Sequence, residues 1–234
     1  IKTRLLLKTL DRPRGYTPIE ISATALEASV SQLRREFKEL EIIPLRADYT
    51  EQIDSEALKL VPPAQKRVVY FPGSTIGNFS HQEAILFLER MAKIALSSGA
   101  VLIGVDLLKP ISKLLQAYDD SQGVTAQFNK NLLIRVKREL NAEVDLDAFV
   151  HEARFNEALS RVEMHLLATK ETYIRVGGQS FHLAEGETIH TESSHKYSIE
   201  SFQSLATKAG LMPVKHWVDD EHLFSMHYLQ PQKN

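Results

Sequence analysis

The sequence predicts an α/β fold built on a doubly wound parallel sheet, and three observations carry that expectation. Helix-period and strand-period segments alternate over residues 1–108. The runs at 67–71 and 101–107 are apolar throughout, as expected of parallel strands covered on both faces. The strand-like segments run out into Glu20, Asp48, the 73–78 loop and Asp106. That end of an open α/β sheet is where ligands bind.

The elements follow in order. Residues 1–10 read as a helix, broken at Asp11-Arg12-Pro13-Arg14-Gly15. Residues 16–22 read as a short strand. Leu26, Val30, Leu33, Phe37 and Leu40 then recur at spacings of three and four, an amphipathic helix. Residues 42–47 read as a second strand and 67–71 as a third. Ser80, with Glu83 three positions on, is a capping box that starts the next helix. Gly99 closes it ahead of the 101–107 strand.

After Pro110 the pattern becomes an α+β insert. A polar stretch at 117–123 leads into a helix carrying Phe128, Leu132, Val136 and Leu140 on one face. Residues 147–158 read as helical. Residues 161–168 and 172–176 read as strands, with Gly177-Gly178 as a two-residue hairpin turn before 181–184. From Ser198 the chain returns to helix, then to two strands near 212–218 and 223–229. The division expected is one domain from 1–108 and 197–234, with residues 109–196 forming a separate lobe.

Composition limits the function classes. Twenty-eight basic residues face 30 acidic ones, a net charge of −2. That argues against nucleic acid as a partner. No apolar run approaches the roughly 18 residues of a membrane span, so no membrane partner is expected. The opening residues do not read as a signal peptide, and the sequence reads as cytoplasmic. The absence of cysteine excludes a disulfide scaffold, a thiolate nucleophile and a cysteine zinc site.

Several chemistries compete for the strand ends. A carboxylate after the second strand of such a unit accepts ribose hydroxyls, a role that suits Glu20, with Asp48 as a second contact. Gly73-Ser74-Thr75-Ile76-Gly77 lies in the strand–loop–helix context of a hydrolase elbow, but threonine holds the central position and serine is off by one. No Gly-Lys-Ser/Thr follows to make a phosphate loop. The nine histidines are scattered, and none forms His-Glu-x-x-His, so no metal is expected. Two polar clusters in the insert, Ala117-Tyr118-Asp119-Asp120 and Thr191-Glu192-Ser193-Ser194, read either as a turn and a strand end or as a pocket for a small zwitterion.

These strings occur together in one family. Gly73-Ser74-Thr75-Ile76-Gly77-Asn78-Phe79, Ala117-Tyr118-Asp119-Asp120, Gly123-Val124-Thr125-Ala126-Gln127-Phe128-Asn129, Arg161-Val162-Glu163-Met164 and Thr191-Glu192-x-Ser194-x-Lys196 stand in the same order. The chain resembles the L-histidine Nα-methyltransferases of ergothioneine biosynthesis over essentially its whole length. The resemblance implies a Rossmann-like methyltransferase sheet with an inserted α+β substrate lobe. It implies S-adenosyl-L-methionine as cofactor and L-histidine as the small-molecule substrate, trimethylated to hercynine. It places Lys2, Glu20, Asp48 and Tyr49 against the cofactor, with Gly73 and Ser74 near its methionine part. It gives Asn78 and Tyr118 the substrate's amino and carboxylate groups, with Thr125 near them, and gives Met164, Glu192 and Ser194 the imidazole. Glu20 departs from the family's usual aspartate.

The family also has a Gly-rich loop and its strand just before the position of Ile1, and a helical segment with a tyrosine that touches the imidazole. The sequence therefore reads as one whose beginning has been removed, leaving two sheet edges open. Two other functions stay in view: methylation of another aromatic amino acid or amine, and a non-catalytic binding domain.

Overall fold

The computed structural model describes residues 2–51, 53 and 66–232. Ile1, the first residue of the expected opening helix, lies outside them.

Helix α1 (Lys2–Thr9) leads to strand β1 (Gly15–Tyr16), helix α2 (Ala23–Glu36) and strand β2 (Glu41–Ile42). Ser22 caps α2 by accepting the Ala25 N–H at 3.3 Å. Its apolar stripe, Leu26, Val30 and Leu33, buries against Leu7 and Ile42. β1 and β2 pair in parallel but are shorter than the sequence suggests. Pro18 contributes to this, because it faces β2 and has no N–H to give to the ladder. Pairing resumes beyond it only as a single parallel bridge, Ile19 to Leu45.

The main sheet has the order β11-β12-β4-β3, made of β3 (Val68–Phe71), β4 (Ala100–Asp106), β11 (Leu211–Val218) and β12 (Phe224–Pro231). β3 and β4 are parallel, and β12 runs antiparallel to both β4 and β11. Helix α3 (His81–Ala95) begins with the expected capping box. The Glu83 N–H donates to Ser80 Oγ at 3.3 Å, and the Ser80 N–H donates to Glu83 Oε2 at 2.8 Å. Ala84, Leu88, Met91 and Ala95 of this helix share one core with Val101, Ile103 and Val105 of β4. Among the described residues no strand joins the β1–β2 pair to β3. Tyr49 bridges the two pieces instead, edge-on to Phe71 at 5.5 Å and to Phe87 at 6.1 Å.

Between β4 and β11 the chain builds a second body with its own core, centred on Leu133, Phe149, Leu166 and Ile174. Helices α4 (Ile111–Tyr118) and α5 (Val124–Glu139) precede β5 (Glu143–Val144), β6 (Phe149–Asn156), β7 (Arg161–Ala168), β8 (Thr172–Val176), β9 (Gln179–Leu183) and β10 (Thr188–His195). They form two antiparallel sheets, β10-β7-β6 and β5-β8-β9. Gly177 and Gly178 take φ of 59° and 76°, the left-handed pair that a tight hairpin turn needs.

Two expectations fail here. Residues 147–158 do not form the expected helix: a 3-10 turn ends at Ala148, and β6 then pairs with β7 from Phe149–Ala168 to Asn156–Arg161. The period that matters is two, which puts Phe149, His151, Ala153 and Phe155 on one face. The polar stretch at 117–123 also hides the end of a full helix, α4. Helix α6 (Ile199–Lys208) then returns the chain to the main sheet, capped by Ser198.

Buried His227 on β12 makes stability depend on pH. It is fully enclosed, its ring 4.6 Å from Phe202 and its Nε2 2.9 Å from Ser225 Oγ. Burial holds its pKa down at about 4, against an ordinary value of 6.5, with His216 adding to the effect. The unfolded chain therefore binds a proton that the folded chain refuses. This contribution is complete above pH 6.5 and is lost as pH falls towards 4. The full gap is worth about 3 kcal/mol, and about 2 kcal/mol of it is lost between pH 7 and pH 5. Denaturant unfolding should show that loss, and His227→Phe should flatten it.

Candidate active site

The site forms where the loop after β3 meets β10. Residues Thr75–Asn78 make one turn of 3-10 helix, closed by the Gly77 N–H donating to Ser74 O at 2.9 Å. The turn lies directly on β10: His195 Nδ1 is 3.0 Å from Gly77 O. A Cβ on Gly77 would stand 2.7 Å from His195 O, so only glycine permits this approach. The contact brings Asn78 to Glu192, and Asn78 Nδ2 donates to Glu192 Oε1 at 3.2 Å.

Glu192 and Ser194 are two apart on β10, so they share a face of the strand. On that face Glu192 pairs with Met164 of β7, and Ser194 with Val162. A bulge between His190 and Glu192 sets this register. There Thr191 Oγ1 donates to Met164 O at 2.9 Å. Burial pushes the Glu192 carboxyl above its ordinary pKa, while the Asn78 amide and the nearby Lys196 charge pull the other way. Tyr118, the last residue of α4, donates its hydroxyl hydrogen to Ser194 Oγ at 2.8 Å. Asn78, Tyr118, Met164, Glu192 and Ser194 therefore form one connected set.

Thr125 does other work in the contacts seen. Its N–H donates to Asp120 Oδ1 at 2.8 Å, and the Val124 N–H donates to Asp120 Oδ2 at 3.0 Å. These bonds and the Thr125 hydroxyl hold the Asp120 carboxyl down at about 2. Asp120 thus caps the start of α5 and fixes the corner just past Tyr118.

Sequence reasoning missed a support for that tyrosine. Asn129 is buried; its Nδ2 donates to His165 O at 3.0 Å and lies 2.9 Å from His151 Nδ1. His151 Nε2 lies 2.8 Å from Tyr118 O. A ring N–H at Nε2 donates to the carbonyl and leaves Nδ1 to accept from the amide. Asn129 closes the Gly-Val-Thr-Ala-Gln-Phe-Asn string, but its burial and its partners 22 and 36 residues away are not legible there.

The expected cofactor residues line the carboxyl ends of the parallel strands. Glu20 follows the Ile19–Leu45 bridge, and its Oε1 accepts the Ser22 N–H at 2.9 Å. Asp48 Oδ1 accepts from the Thr50 hydroxyl and N–H at 2.6 and 2.8 Å, which lowers its pKa. Tyr49 is half-buried beside them, and both carboxylates help to raise its phenol's pKa, after burial. Lys2 Nζ donates to Pro72 O at 3.3 Å, next to Gly73 and Ser74. Two carboxylate acceptors, an aromatic face and a lysine donor form a set suited to a nucleoside bearing an amino acid.

One trio of described residues has metal-ligand composition: Glu163, His165 and His190, with ligand atoms within 4.8 Å of one another. Each of the three also holds a partner outside the trio. Arg161 holds Glu163 at 2.7 Å, Thr188 Oγ1 is 3.2 Å from His165 Nδ1, and the Glu192 carbonyl is 3.0 Å from His190 Nε2. Among the described residues no helix is long and apolar enough to cross a membrane.

The sheet β11-β12-β4-β3, with a second body inserted between β4 and β11 and polar side chains gathered after β3 and on β10, fits a Rossmann-like methyltransferase fold. A family described as "Histidine-specific methyltransferase, SAM-dependent" matches residues 1–231, and the chain belongs to it. The chain is 36% identical over 231 residues to the histidine N-alpha-methyltransferase of Mycobacterium tuberculosis, covering 96% of this chain and 70% of that protein. It is 35% identical over 223 residues to the protein of the same name from Mycolicibacterium smegmatis, covering 93% and 68%. A solved structure of a protein from Pyrococcus horikoshii OT3 shares the fold, with a TM-score of 0.50 at 10% identity over 98% of this chain and 78% of that one.

Proposed function

We propose that this chain transfers methyl groups from S-adenosyl-L-methionine to the α-amine of L-histidine, three times in succession, to give hercynine for ergothioneine biosynthesis in the cytoplasm. Residues 1–108 and 197–234 act as the cofactor domain, and residues 109–196 as the substrate lobe. The observation that carries this reading is the meeting of Asn78 with Glu192 beside the Tyr118–Ser194 pair.

S-adenosyl-L-methionine supplies a methyl group on a sulfonium, open to in-line displacement by an amine. Glu20 and Asp48 would suit the ribose and base, Lys2 and Tyr49 would also contact the cofactor, and Gly73 and Ser74 would lie near its methionine part. The protein's task is then positioning, with the amine nitrogen held roughly 3–3.5 Å from the carbon it attacks. Because Glu192 takes the amide hydrogen of Asn78, the Asn78 Oδ1 is left as an acceptor. An acceptor binds the amine through an N–H and leaves its lone pair free to attack. Tyr118 takes the substrate carboxylate, with Thr125 behind it. Glu192 and Ser194 take the imidazole nitrogens over Met164. An indole offers one N–H and no second nitrogen, so it would leave the acid–hydroxyl pair unmatched.

Mass spectrometry of the product tests the proposal. Incubation with S-adenosyl-L-methionine and L-histidine should give the trimethylated amino acid, and tryptophan should be a poor substrate. Equal turnover of both would remove histidine specificity. Binding of S-adenosylhomocysteine with no product from either would favour a binding domain.

A further inference from the structure

Lys196 follows directly on β10, and its side chain is completely buried. Its Nζ is 2.7 Å from Asp106 Oδ2 at the end of β4 and donates to Tyr118 Oη and to Ser194 Oγ, both at 2.8 Å. The ammonium also sits 4.7 Å from the centre of the Tyr118 ring. Its three hydrogens are all used. A single buried cation thus ties the main sheet to both hydroxyls of the candidate pocket.

The hydrogen count has a consequence. Each hydroxyl oxygen already accepts one bond from Lys196, and one further bond joins Tyr118 to Ser194. The two hydroxyls own two hydrogens, and their mutual bond uses one. The other must point out of the trio, and the oxygen that accepts twice has no lone pair left. The pair therefore presents a net donor backed by a positive charge, beside the acceptor Glu192 on the same strand face. An anion is the ligand that such a donor fits.

We propose that Lys196, with Asp106 as its counter-ion, is a positioning residue that holds the Tyr118–Ser194 hydroxyl pair as a donor for the carboxylate of the amino-acid substrate. This rests on the functional reading above. When the carboxylate arrives, the Tyr118 hydrogen turns to it and the Ser194 hydrogen takes its place on the phenol oxygen. Lys196 donates to both oxygens throughout, and no proton changes owner.

The test compares L-histidine with L-histidinol, which keeps the amine and imidazole but lacks the carboxylate. Binding to the protein loaded with S-adenosylhomocysteine is read by calorimetry, which needs no turnover. Lys196→Met should weaken histidine binding by about ten- to a hundredfold, the range for a charge-assisted hydrogen bond, and barely move histidinol. Asp106 also accepts from Lys109 at 2.6 Å, so loss of Lys196 should not strand its charge. Lys196→Gln is the second variant should the methionine protein fail to fold. In a Tyr118→Phe background Lys196→Met should add little, because the lysine acts through that phenol. Equal losses for histidine and histidinol would mark a purely structural residue and overturn the assignment. So would unchanged histidine binding. A wild-type protein that binds no histidine would overturn both this assignment and the functional reading, whereas normal wild-type binding with an unaffected variant overturns this one alone.

Discussion

Glu192→Ala is expected to raise the KM for histidine by about ten- to a hundredfold while leaving S-adenosylhomocysteine affinity within about threefold. The magnitude is that of a hydrogen bond to a charged group, on the order of 1.5–3 kcal/mol. The carboxylate is held on a strand, opposite Met164, and its neighbour Asn78 donates to it. Removal therefore does two things: the imidazole loses an acceptor, and the Asn78 amide loses the partner that orients it. The second effect should lower kcat as well, because a rotated Asn78 offers the amine a donor in place of an acceptor. Glu192→Gln separates the two effects, since its amide oxygen can still hold Asn78 while the charge is gone. Steady-state kinetics with a calorimetric cofactor titration checks both variants.

The same carboxyl gives a pH signature. Burial raises its pKa, so it loses its charge at a higher pH than an exposed glutamate would. Histidine capture by the ionised form should therefore weaken as pH falls through that raised value. The acid limb of kcat/KM should accordingly begin above the ordinary carboxylate range. Glu192→Gln should remove the part of the limb that belongs to the enzyme, leaving the substrate's own titration. An identical limb in both proteins would exclude Glu192 as its source.

What the sequence made legible was local. Ser80 with Glu83 and Gly177-Gly178 are short-range signals, and both are found as expected. Glu192 and Ser194 are paired in the sequence only through the family resemblance, and it is β10 that puts them on one face of a strand. β6 was misread because Leu146, Phe149, Val150 and Ala153 fall at spacings of three and four, which mimic one face of a helix. Only the pairing with β7 decides between the two periods, and that is a long-range fact. The link from Asn78 to Glu192 spans 114 residues, and no local pattern announces it. The buried chain from Asn129 through His151 to the Tyr118 carbonyl was invisible for the same reason. Lys196 stood in a recognised string, yet only its burial against Asp106 and two hydroxyls shows what it touches.

Gly77→Ala is expected to cut kcat/KM for histidine by about a hundredfold, and it should do so far more than Gly73→Ala in the same short string. The two glycines look alike in the sequence, but their surroundings differ. A Cβ at Gly73 would meet the Thr75 side-chain oxygen at 3.2 Å, and a rotation of that hydroxyl relieves the contact. A Cβ at Gly77 would meet the His195 carbonyl oxygen at 2.7 Å, with the His195 nitrogen at 3.3 Å. Those atoms belong to a strand already paired with β7, so the turn must move. The displacement lifts the His195 bond to Gly77 O and carries Asn78 away from Glu192. A shift of about 1 Å in a positioning group costs on the order of a hundredfold in rate. Overpacking of this kind also costs about 1–3 kcal/mol of stability, so thermal unfolding should be recorded beside the kinetics. Ser74 sits in the same turn, so cofactor affinity should fall too, by less than the loss in kcat/KM. If Gly77→Ala retains full activity, the close approach of this turn to β10 is not what aligns the amine. If Gly73→Ala is equally damaging, the loop acts through its methionine contacts and not through Asn78.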